Sequence, residues 1–287
     1  MATANIAKSA FGGDRPYQVQ ARRAFPLLVR QAKAGQSIRY GDLAKELGMP
    51  NPRNLNYVLG AVGRALEELE VERKIRIPKL TAVVVNKYSG QPSDGILEFL
   101  DNPAVFRAAS PDVRHRIMEQ TRLEIYAFSQ WDELLLHWGL KPIRGVGPTP
   151  MPVRGSVAEG EAHRQLKEFV AAHPESVGLR RSTRLVGIES LLPSGDEVDV
   201  LFATGAGLTA IEIKAHTAPD AEIARGMYQC VKYEAVLRAK QRTDQVPIDA
   251  RAWLVVGREL PETLIPLKNT LGVHVIEVLR PTDLDLT

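Results

Sequence analysis

The sequence predicts an α/β protein of two domains, and three observations support this. The chain has 287 residues, 44% hydrophobic and 25% charged, which is the composition of a folded protein and the length of about two domains. Four prolines and three glycines occur without a hydrophobic period at 141–156, so we place a linker at 141–157 between domains 1–140 and 158–287. Helical spacing dominates the first domain, whereas the second combines helical and strand patterns, which predicts an α/β sheet with helices.

Simple patterns exclude several classes of protein. The longest apolar runs are far shorter than the roughly 18 residues of a membrane span, and residues 1–18 lack the apolar core of a secretory signal. Cys230 is the single cysteine, so it cannot form an internal disulfide, and it has no His or Cys neighbours at zinc-ligand spacing. We therefore expect a cytoplasmic protein that contacts no membrane.

The charge is distributed unevenly along the chain. Residues 1–150 contain 21 Lys and Arg against 15 Asp and Glu, whereas residues 151–287 contain 16 against 19. This asymmetry is typical of a first half that faces nucleic acid and a second half with an acidic site. An uneven scatter of solvated surface charge would produce the same asymmetry, so it does not decide the function.

The first domain has the outline of a helix-turn-helix. A helix over residues 16–35 is followed by a short helix at about Tyr40–Leu47 and, after a Gly-Met-Pro turn, by a second helix at about Arg53–Glu70. The strand-forming residues 80–86 run into turn formers at 89–92, which predicts an extended hairpin after the second helix.

Polar side chains on and after the second helix are candidates for binding nucleic acid. They can contact phosphates and base edges, and they are Arg53, Asn54, Asn56, Arg64 and Lys79. The alternative is a small helical domain whose polar residues only face water.

The same segment resembles the winged-helix domain of alkylguanine-DNA alkyltransferases. The likeness lies in YGDLAKELGMP, then NLNYVLGAVGRAL, then an IP before a hydrophobic strand. That family has a nucleophilic Cys within two residues of its IP, but here Pro78 is followed by Lys79, Leu80 and Thr81, so alkyl transfer is excluded. The resemblance still implies a DNA-reading winged helix whose wing is the hairpin after residue 80. Residues 110–140 have the pattern of one long and one short helix, which we expect to pack on this domain.

The second domain contains a helix before Pro174 and then a hairpin within residues 194–215. Alternation places the hairpin strands at about 196–203 and 208–215, joined by the loop Thr204–Gly207. If residue 203 pairs with residue 208, the residue numbers of every facing pair in the hairpin add up to 411.

Three charged residues then share one region of the hairpin. Asp199 faces Glu212, and Lys214 lies on the same face two positions further along. The opposite face is apolar and should be buried, and it consists of Val198, Val200, Ile211 and Ile213. Opposed carboxylates destabilise a hairpin by about 0.2–1 kcal/mol. A divalent cation between the two carboxylates would remove their repulsion, and Mg²⁺ typically binds one or two protein carboxylates.

This constellation resembles the motif of the PD-(D/E)XK nuclease superfamily, which has the restriction-endonuclease-like fold. The resemblance implies a mixed central sheet flanked by helices. The motif here is Asp199 followed by Glu212-Ile213-Lys214, with Val198 in place of the proline, and the likeness covers roughly 157–280. The resemblance implies that Asp199, Glu212 and the Ile213 carbonyl bind Mg²⁺, with Mn²⁺ able to substitute. It also implies that Lys214 is the catalytic lysine.

Two helices supply further candidates. The superfamily places a glutamate on the helix before the hairpin, and Glu159 and Glu161 compete for this role. Glu159 shares a helical face with His163, whereas Glu161 suits a helix that starts later; we interpret His163 as a helix-face residue and not as a general base. After the lysine strand, Gln229 and Tyr233 lie one helical turn apart and match the Gln-x-x-x-Tyr motif of the RecB-like branch, although helix surface and core are alternatives for them.

These expectations combine into a metal-dependent DNA endonuclease that a winged helix targets to DNA. Mrr-like restriction enzymes share this domain order, so restriction or anti-phage defence is the expected role by analogy, with DNA repair as an alternative. We expect a homodimer and no small-molecule cofactor. A second hypothesis is a catalytically inactive DNA-binding regulator or assembly subunit with a nuclease-like fold.

Overall fold

The chain divides into two compact units. They are Met1–Gly147 and Pro148–Thr287, and the boundary falls within the stretch 141–157 that we expect to be a linker. The computed structural model describes residues 11–143, 160–205, 207–246 and 249–277. Within these ranges, no helix is long and apolar enough to cross a membrane.

The first unit is mostly helical. Its helices are α1 (Pro16–Ala34), α2 (Tyr40–Glu46), α3 (Leu55–Arg73), α4 (Pro103–Ala108), α5 (Pro111–Ala127) and α6 (Trp131–His137). The helices expected at 16–35 and 40–47 are α1 and α2, and a 3-10 turn at Pro52–Asn54 precedes α3. The two helices expected in 110–140 are α5 and α6, and the indole nitrogen of Trp131, which is 1% exposed, donates to the Ile125 carbonyl at 2.9 Å.

The expected wing is wrong. Residues Leu80–Val83 form a 3-10 turn, and only β2 (Val84–Val85) is extended. This strand pairs in parallel with β1 (Ile38–Arg39), and no antiparallel hairpin partner occurs for it among the described residues. The physical reason is burial, because all residues from 80 to 85 are buried. A wing needs alternating buried and solvated side chains, whereas this continuous apolar run belongs to the core.

The second unit contains a mixed five-stranded sheet with helices, as expected. Its elements are α7 (Glu161–Ala172), β3 (Arg184–Leu191), β4 (Glu197–Thr204), β5 (Gly207–Lys214), α8 (Asp220–Thr243), β6 (Ala250–Val256), α9 (Ile265–Leu271) and β7 (His274–Glu277). The strand order is β3-β4-β5-β6-β7, in which β3, β4 and β5 are antiparallel and β5, β6 and β7 are parallel. The carboxyl ends of the three parallel strands therefore lie at one edge of the sheet.

The sheet separates two apolar clusters. On one face, α7 packs through Leu166 and Val170 against side chains of the central strands that include Phe202. On the other face, α8 packs through Met227 against side chains that include Leu254. Strand residues alternate between the clusters, which is the expected consequence of the two-residue period of a strand.

Two details of the second unit differ from expectation. The strand β3 was not expected, because RLVGIESL has no regular alternation, and its pairing with β4 is irregular between Leu185 and Gly187. Most side chains of β3 are exposed because it is an edge strand. The hairpin loop is shorter than expected, since Thr204 pairs with Gly207, and Gly205 adopts the left-handed φ of 60° that a tight turn requires.

Candidate functional site

The β4–β5 hairpin has the expected register. Pairing extends from Thr204 with Gly207 to Val200 with Ile211, and Ala203 pairs with Leu208. Asp199 and Glu212 are the next residues outward, just beyond the last paired position. The register therefore brings the two acidic residues to neighbouring positions at the open end of the hairpin.

Asp199 is held between β5 and α7. Its Oδ2 accepts a hydrogen bond from the Ile213 backbone N–H at 2.7 Å, so the carboxylate occupies a place that a backbone carbonyl would fill in a continuing ladder. Its Oδ1 lies 3.3 Å from Nε2 of His163. The side chain of Asp199 is 18% exposed, which leaves the carboxylate accessible from solvent.

Glu212 is buried beside Lys214. The Lys214 ammonium donates to Oε1 of Glu212 at 2.7 Å, and the side chains of Lys214 and Glu212 are 12% and 5% exposed. Both residues lie at the carboxyl end of β5, the edge where parallel strands of α/β sheets commonly bind ligands. The two side chains therefore pair at the edge of the sheet where such sites commonly lie.

The electrostatic balance of this cluster favours a bound positive charge. Burial, and next the neighbouring charge of Asp199, raises the pKa of Glu212 from its ordinary value of 4.5 to about 7. The ammonium of Lys214 opposes this rise but does not cancel it. A proton compensates the buried carboxylate at low pH, and a cation could do so at higher pH.

On α8, Gln229 and Tyr233 form a pair as the one-turn spacing predicts. Gln229 Nε2 donates to the Tyr233 hydroxyl at 3.0 Å, and this hydroxyl donates to the Glu197 carbonyl at 3.0 Å. Burial, followed by the charge of Glu212, raises the pKa of Tyr233 well above its ordinary value. Oε1 of Gln229 is buried and accepts no hydrogen bond from a described residue, so it has capacity for a water or a ligand.

Of the two glutamates that compete for the helix position, only Glu161 is described, and it does not join the cluster. Glu159 lies outside the described residues. Glu161 is the first residue of α7, and its carboxylate accepts hydrogen bonds from Arg164 and Gln165, each at 2.7 Å. Arg164, and then Gln165, lowers the pKa of Glu161 below its ordinary value. The side chain is thus engaged along its own helix.

His163 is the residue that α7 contributes instead. His163 is a helix-face residue, as we interpret it from the sequence, and its ring contacts Asp199 on the sheet. The signal was present in the sequence, because His163 is three residues before Leu166 and seven before Val170, which both pack on the sheet. A ring nitrogen on that face reaches the end of β4.

The four residues of the expected apolar face are buried, but they do not all lie on the same face of the sheet. Val198, Val200, Ile211 and Ile213 are all fully buried. Val198 packs in the cluster of α8, whereas the other three pack in the cluster of α7. The alternation changes where pairing with β5 stops, because Asp199 turns its carboxylate to the Ile213 N–H.

The cluster contains a small set of hard oxygen donors. No group of three or more His, Cys, Asp and Glu side chains within the described ranges is arranged to hold a metal. The available protein donors are the carboxylates of Asp199 and Glu212. The Ile213 carbonyl adds to them, because the N–H and C=O of one strand residue point to the same side, here toward Asp199. Such a set fits an ion that keeps several waters, as Mg²⁺ does.

The nucleic-acid candidates of the first unit separate into two groups. Arg53, Asn54 and Asn56 are exposed around the start of α3. In contrast, Arg64 pairs with Glu98 at 3.1 Å and Lys79 pairs with Glu70 at 3.2 Å, so acidic neighbours compensate their charges. A cleft of about 500 Å³ borders this surface, and its lining includes Tyr40, Asn56, Tyr57, Arg64 and Glu98.

Comparisons with known proteins give no assignment. No family model, no curated protein and no solved structure matches this chain. The inference of function therefore depends on the residues and their geometry.

The pKa of Glu212 predicts how stability depends on pH. In the absence of divalent cations, the folded state binds the Glu212 proton more tightly than the unfolded state does. The stability that this proton contributes is therefore fully present below pH 4.5 and is lost as the pH rises through about 7. The shift corresponds to about 3 kcal/mol. We expect urea titrations in EDTA to show wild type losing stability relative to Glu212→Gln by an amount of this order across that window. A constant difference between the two proteins would contradict the assignment.

Gly226 of α8 allows the helix to approach the site closely. A Cβ atom at this position would lie 2.8 Å from Cδ1 of Leu254 and 3.1 Å from Cε of Lys214. Overpacking of this kind costs about 1–3 kcal/mol, which exceeds or offsets the gain of roughly 1 kcal/mol from Ala in a helix.

We therefore expect Gly226→Ala to be neutral to destabilising by up to about 2 kcal/mol in urea unfolding. Leu254→Val shortens the clashing side chain, so adding it should reduce the specific cost of Gly226→Ala. A gain of about 1 kcal/mol for Gly226→Ala alone, as at an exposed helical site, would mean that the contact is loose.

Proposed function

We propose that this protein is a metal-dependent DNA endonuclease of the PD-(D/E)XK type, which hydrolyses phosphodiester bonds. The observation that carries the proposal is the convergence of Asp199, Glu212 and Lys214 at the carboxyl end of β5, with Glu212 buried and its pKa raised to about 7. A surface ion-pair cluster has no need to bury a carboxylate beside a second one.

In this proposal, Asp199, Glu212 and the Ile213 carbonyl hold Mg²⁺. The raised pKa of Glu212 supports the assignment, because Lys214 alone does not compensate both Glu212 and Asp199 when the Glu212 carboxylate is ionised. When bound, the ion lowers the pKa of a coordinated water and stabilises negative charge on a phosphate oxygen. Mn²⁺ prefers similar oxygen donors and can take the same place.

Lys214 places a positive charge of the protein itself at the proposed site. Its ammonium has three donors, and one of them is directed to Glu212. The remaining donors can bind a phosphate oxygen or orient the attacking water, which stabilises the charge that develops in the transition state.

His163 and Gln229 are positioning residues. His163 contacts Oδ1 of Asp199 and so orients the carboxylate from the side of α7. Gln229 holds the Tyr233 hydroxyl, and its Oε1, which has no partner among the described residues, can accept a hydrogen bond from a water at the site. Glu161 is not needed in this arrangement, since Arg164 and Gln165 already engage it.

The first unit would bind the DNA, and restriction or anti-phage defence remains the proposed role. The exposed side chains Arg53, Asn54 and Asn56 are suited to phosphates and base edges. Cleavage of both strands of a duplex would be explained by a homodimer that brings two sites to one DNA.

The direct test is cleavage of supercoiled plasmid in the presence of Mg²⁺ or Mn²⁺. A covalently closed circle has no ends, so nicking or linearisation identifies an endonuclease. Asp199→Ala and Lys214→Ala should each lower the rate by about 10²-fold or more, because the first removes a ligand of the metal and the second removes a positive charge at the reacting phosphate. Glu197→Gln is the matched control, since this exposed side chain lies two residues from Asp199 on the same strand.

Two results would oppose the proposal. If wild type leaves supercoiled, linear and single-stranded DNA and RNA intact with both metals, the inactive regulator or assembly subunit is favoured. If the variants cut as fast as wild type, the activity does not come from this site. A preference for damaged over intact DNA would instead favour the repair alternative.

A second test concerns DNA binding by the first unit. In a Lys214→Ala background that prevents cleavage, Arg53→Ala should reduce the slope of log K against log salt by about 1, the value for one lost phosphate contact. Lys79→Ala removes the same charge but should leave the slope unchanged, because Glu70 already compensates this lysine. Fluorescence anisotropy with a labelled duplex measures both slopes, and equal losses would argue against Arg53 as a specific contact.

A further inference from the structure

The second unit has a cleft with two arginines beside the β4–β5 turn. It has a volume of about 680 Å³ and is lined by Arg180, Ser182, Thr183 and Arg184 on one side and by Thr204 on the other. Its location is at the opposite end of the hairpin from Asp199. None of the roles assigned above uses this cleft.

The two arginines of the cleft are available to a ligand. Both are exposed, and neither forms an ion pair with a side chain in the described part of the chain. The turn that carries Arg180 is closed by the Thr183 backbone N–H, which donates to the Arg180 carbonyl at 2.8 Å. Guanidinium groups together with hydroxyls are the usual partners of phosphate oxygens.

The distance between the cleft and the candidate active site matches a polynucleotide. Asp199 and Thr204 are five residues apart on β4, which corresponds to roughly 17 Å at about 3.4 Å per residue. Helix α7 runs in the same direction, from His163 beside Asp199 toward the turn that contains Arg180. One DNA strand carries a phosphate about every 3.4 Å along the helix axis, so the separation spans about five phosphates.

We infer that this cleft, defined by Arg180 and Arg184, binds the sugar-phosphate backbone of the nucleic-acid substrate about five phosphates from the bond that is cut. The inference rests on the proposed function, because that function identifies the occupant as a polynucleotide. The guanidinium groups bind phosphate oxygens, and the hydroxyls of Ser182 and Thr183 donate further hydrogen bonds. Contacts of this type set the position and register of the backbone without reading sequence.

The test compares two double variants of the full chain in the Lys214→Ala background. Arg180→Ala/Arg184→Ala removes the cleft charges, whereas Arg238→Ala/Arg242→Ala removes two exposed arginines from α8, of which Arg238 pairs with Glu234 at 2.7 Å. Anisotropy with a labelled 20-base-pair duplex is measured over a salt series. The cleft variant should lose about 2 in the slope of log K against log salt and bind roughly tenfold or more weakly at low salt. The α8 variant should keep the wild-type slope.

Charge-retaining and small-anion controls sharpen the result. Arg180→Lys/Arg184→Lys should restore most of the slope, which a folding defect in the alanine variant would not explain. Inorganic phosphate and a labelled mononucleotide are titrated in parallel. If the cleft variant loses the mononucleotide but keeps the duplex slope, the cleft is a small-anion site and the inference is overturned. Equal slopes in the two alanine variants also overturn it.

The inference and the proposed function can fail separately. If plasmid cleavage depends on Asp199 and Lys214 while the cleft variant keeps the full slope, the nuclease stands and the cleft is not a backbone site. If no substrate is cut but the cleft variant loses the slope, the cleft binds polynucleotide and the catalytic proposal fails. Absence of any duplex binding by the Lys214→Ala protein would overturn the cleft assignment directly.

Discussion

The side chain of Glu212 is buried next to a second carboxylate, and the surrounding structure is arranged to accommodate it. Burial and Asp199 together raise the pKa of Glu212 to about 7, so the ionised site costs the fold about 3 kcal/mol. This is a large part of the roughly 5–15 kcal/mol by which domains are stable. Lys214 offsets only part of the cost, which is the physical reason to look for a ligand of positive charge. Sites that contradict local stability in this way are commonly functional.

The sheet fixes this arrangement through backbone geometry. Antiparallel pairing of β4 and β5 sets Asp199 beside Glu212, and parallel pairing of β5 and β6 keeps Glu212 and Lys214 on a buried central strand. Gly226 lets α8 approach the site without a side chain in the way. The polar groups of α7 and α8 then reach the same end of the hairpin from opposite faces. A rigid strand pair supported by two helices is well suited to hold reacting groups at fixed distances.

The sequence predicts those features that depend on local periodicity, and it fails where tertiary packing decides. The register of the hairpin follows from alternation and from the turn at Gly205, so it was predictable. The change of side at Val198 was not, because it follows from the hydrogen bond between Asp199 and the Ile213 N–H. The run at 80–85 has the composition of a strand and so predicts a wing, whereas its burial in the core depends on packing against the helices. His163 could be assigned to a helix face, but its contact with Asp199 depends on how α7 crosses the sheet.

Net charge and local charge lead to different conclusions about the second unit, and local charge is the better guide. Residues 151–287 contain 16 basic against 19 acidic side chains, which by itself argues against binding a polyanion. Several cations of this unit have a close acidic partner, as Lys232 has in Asp196. Such pairs contribute little to the electrostatic field at longer range. Arg180 and Arg184 have no such partners among the described residues, and the acidic residues at the other end of β4 are those proposed to hold a cation. With that cation bound, the surface from the site to the cleft would be more positive than the composition suggests.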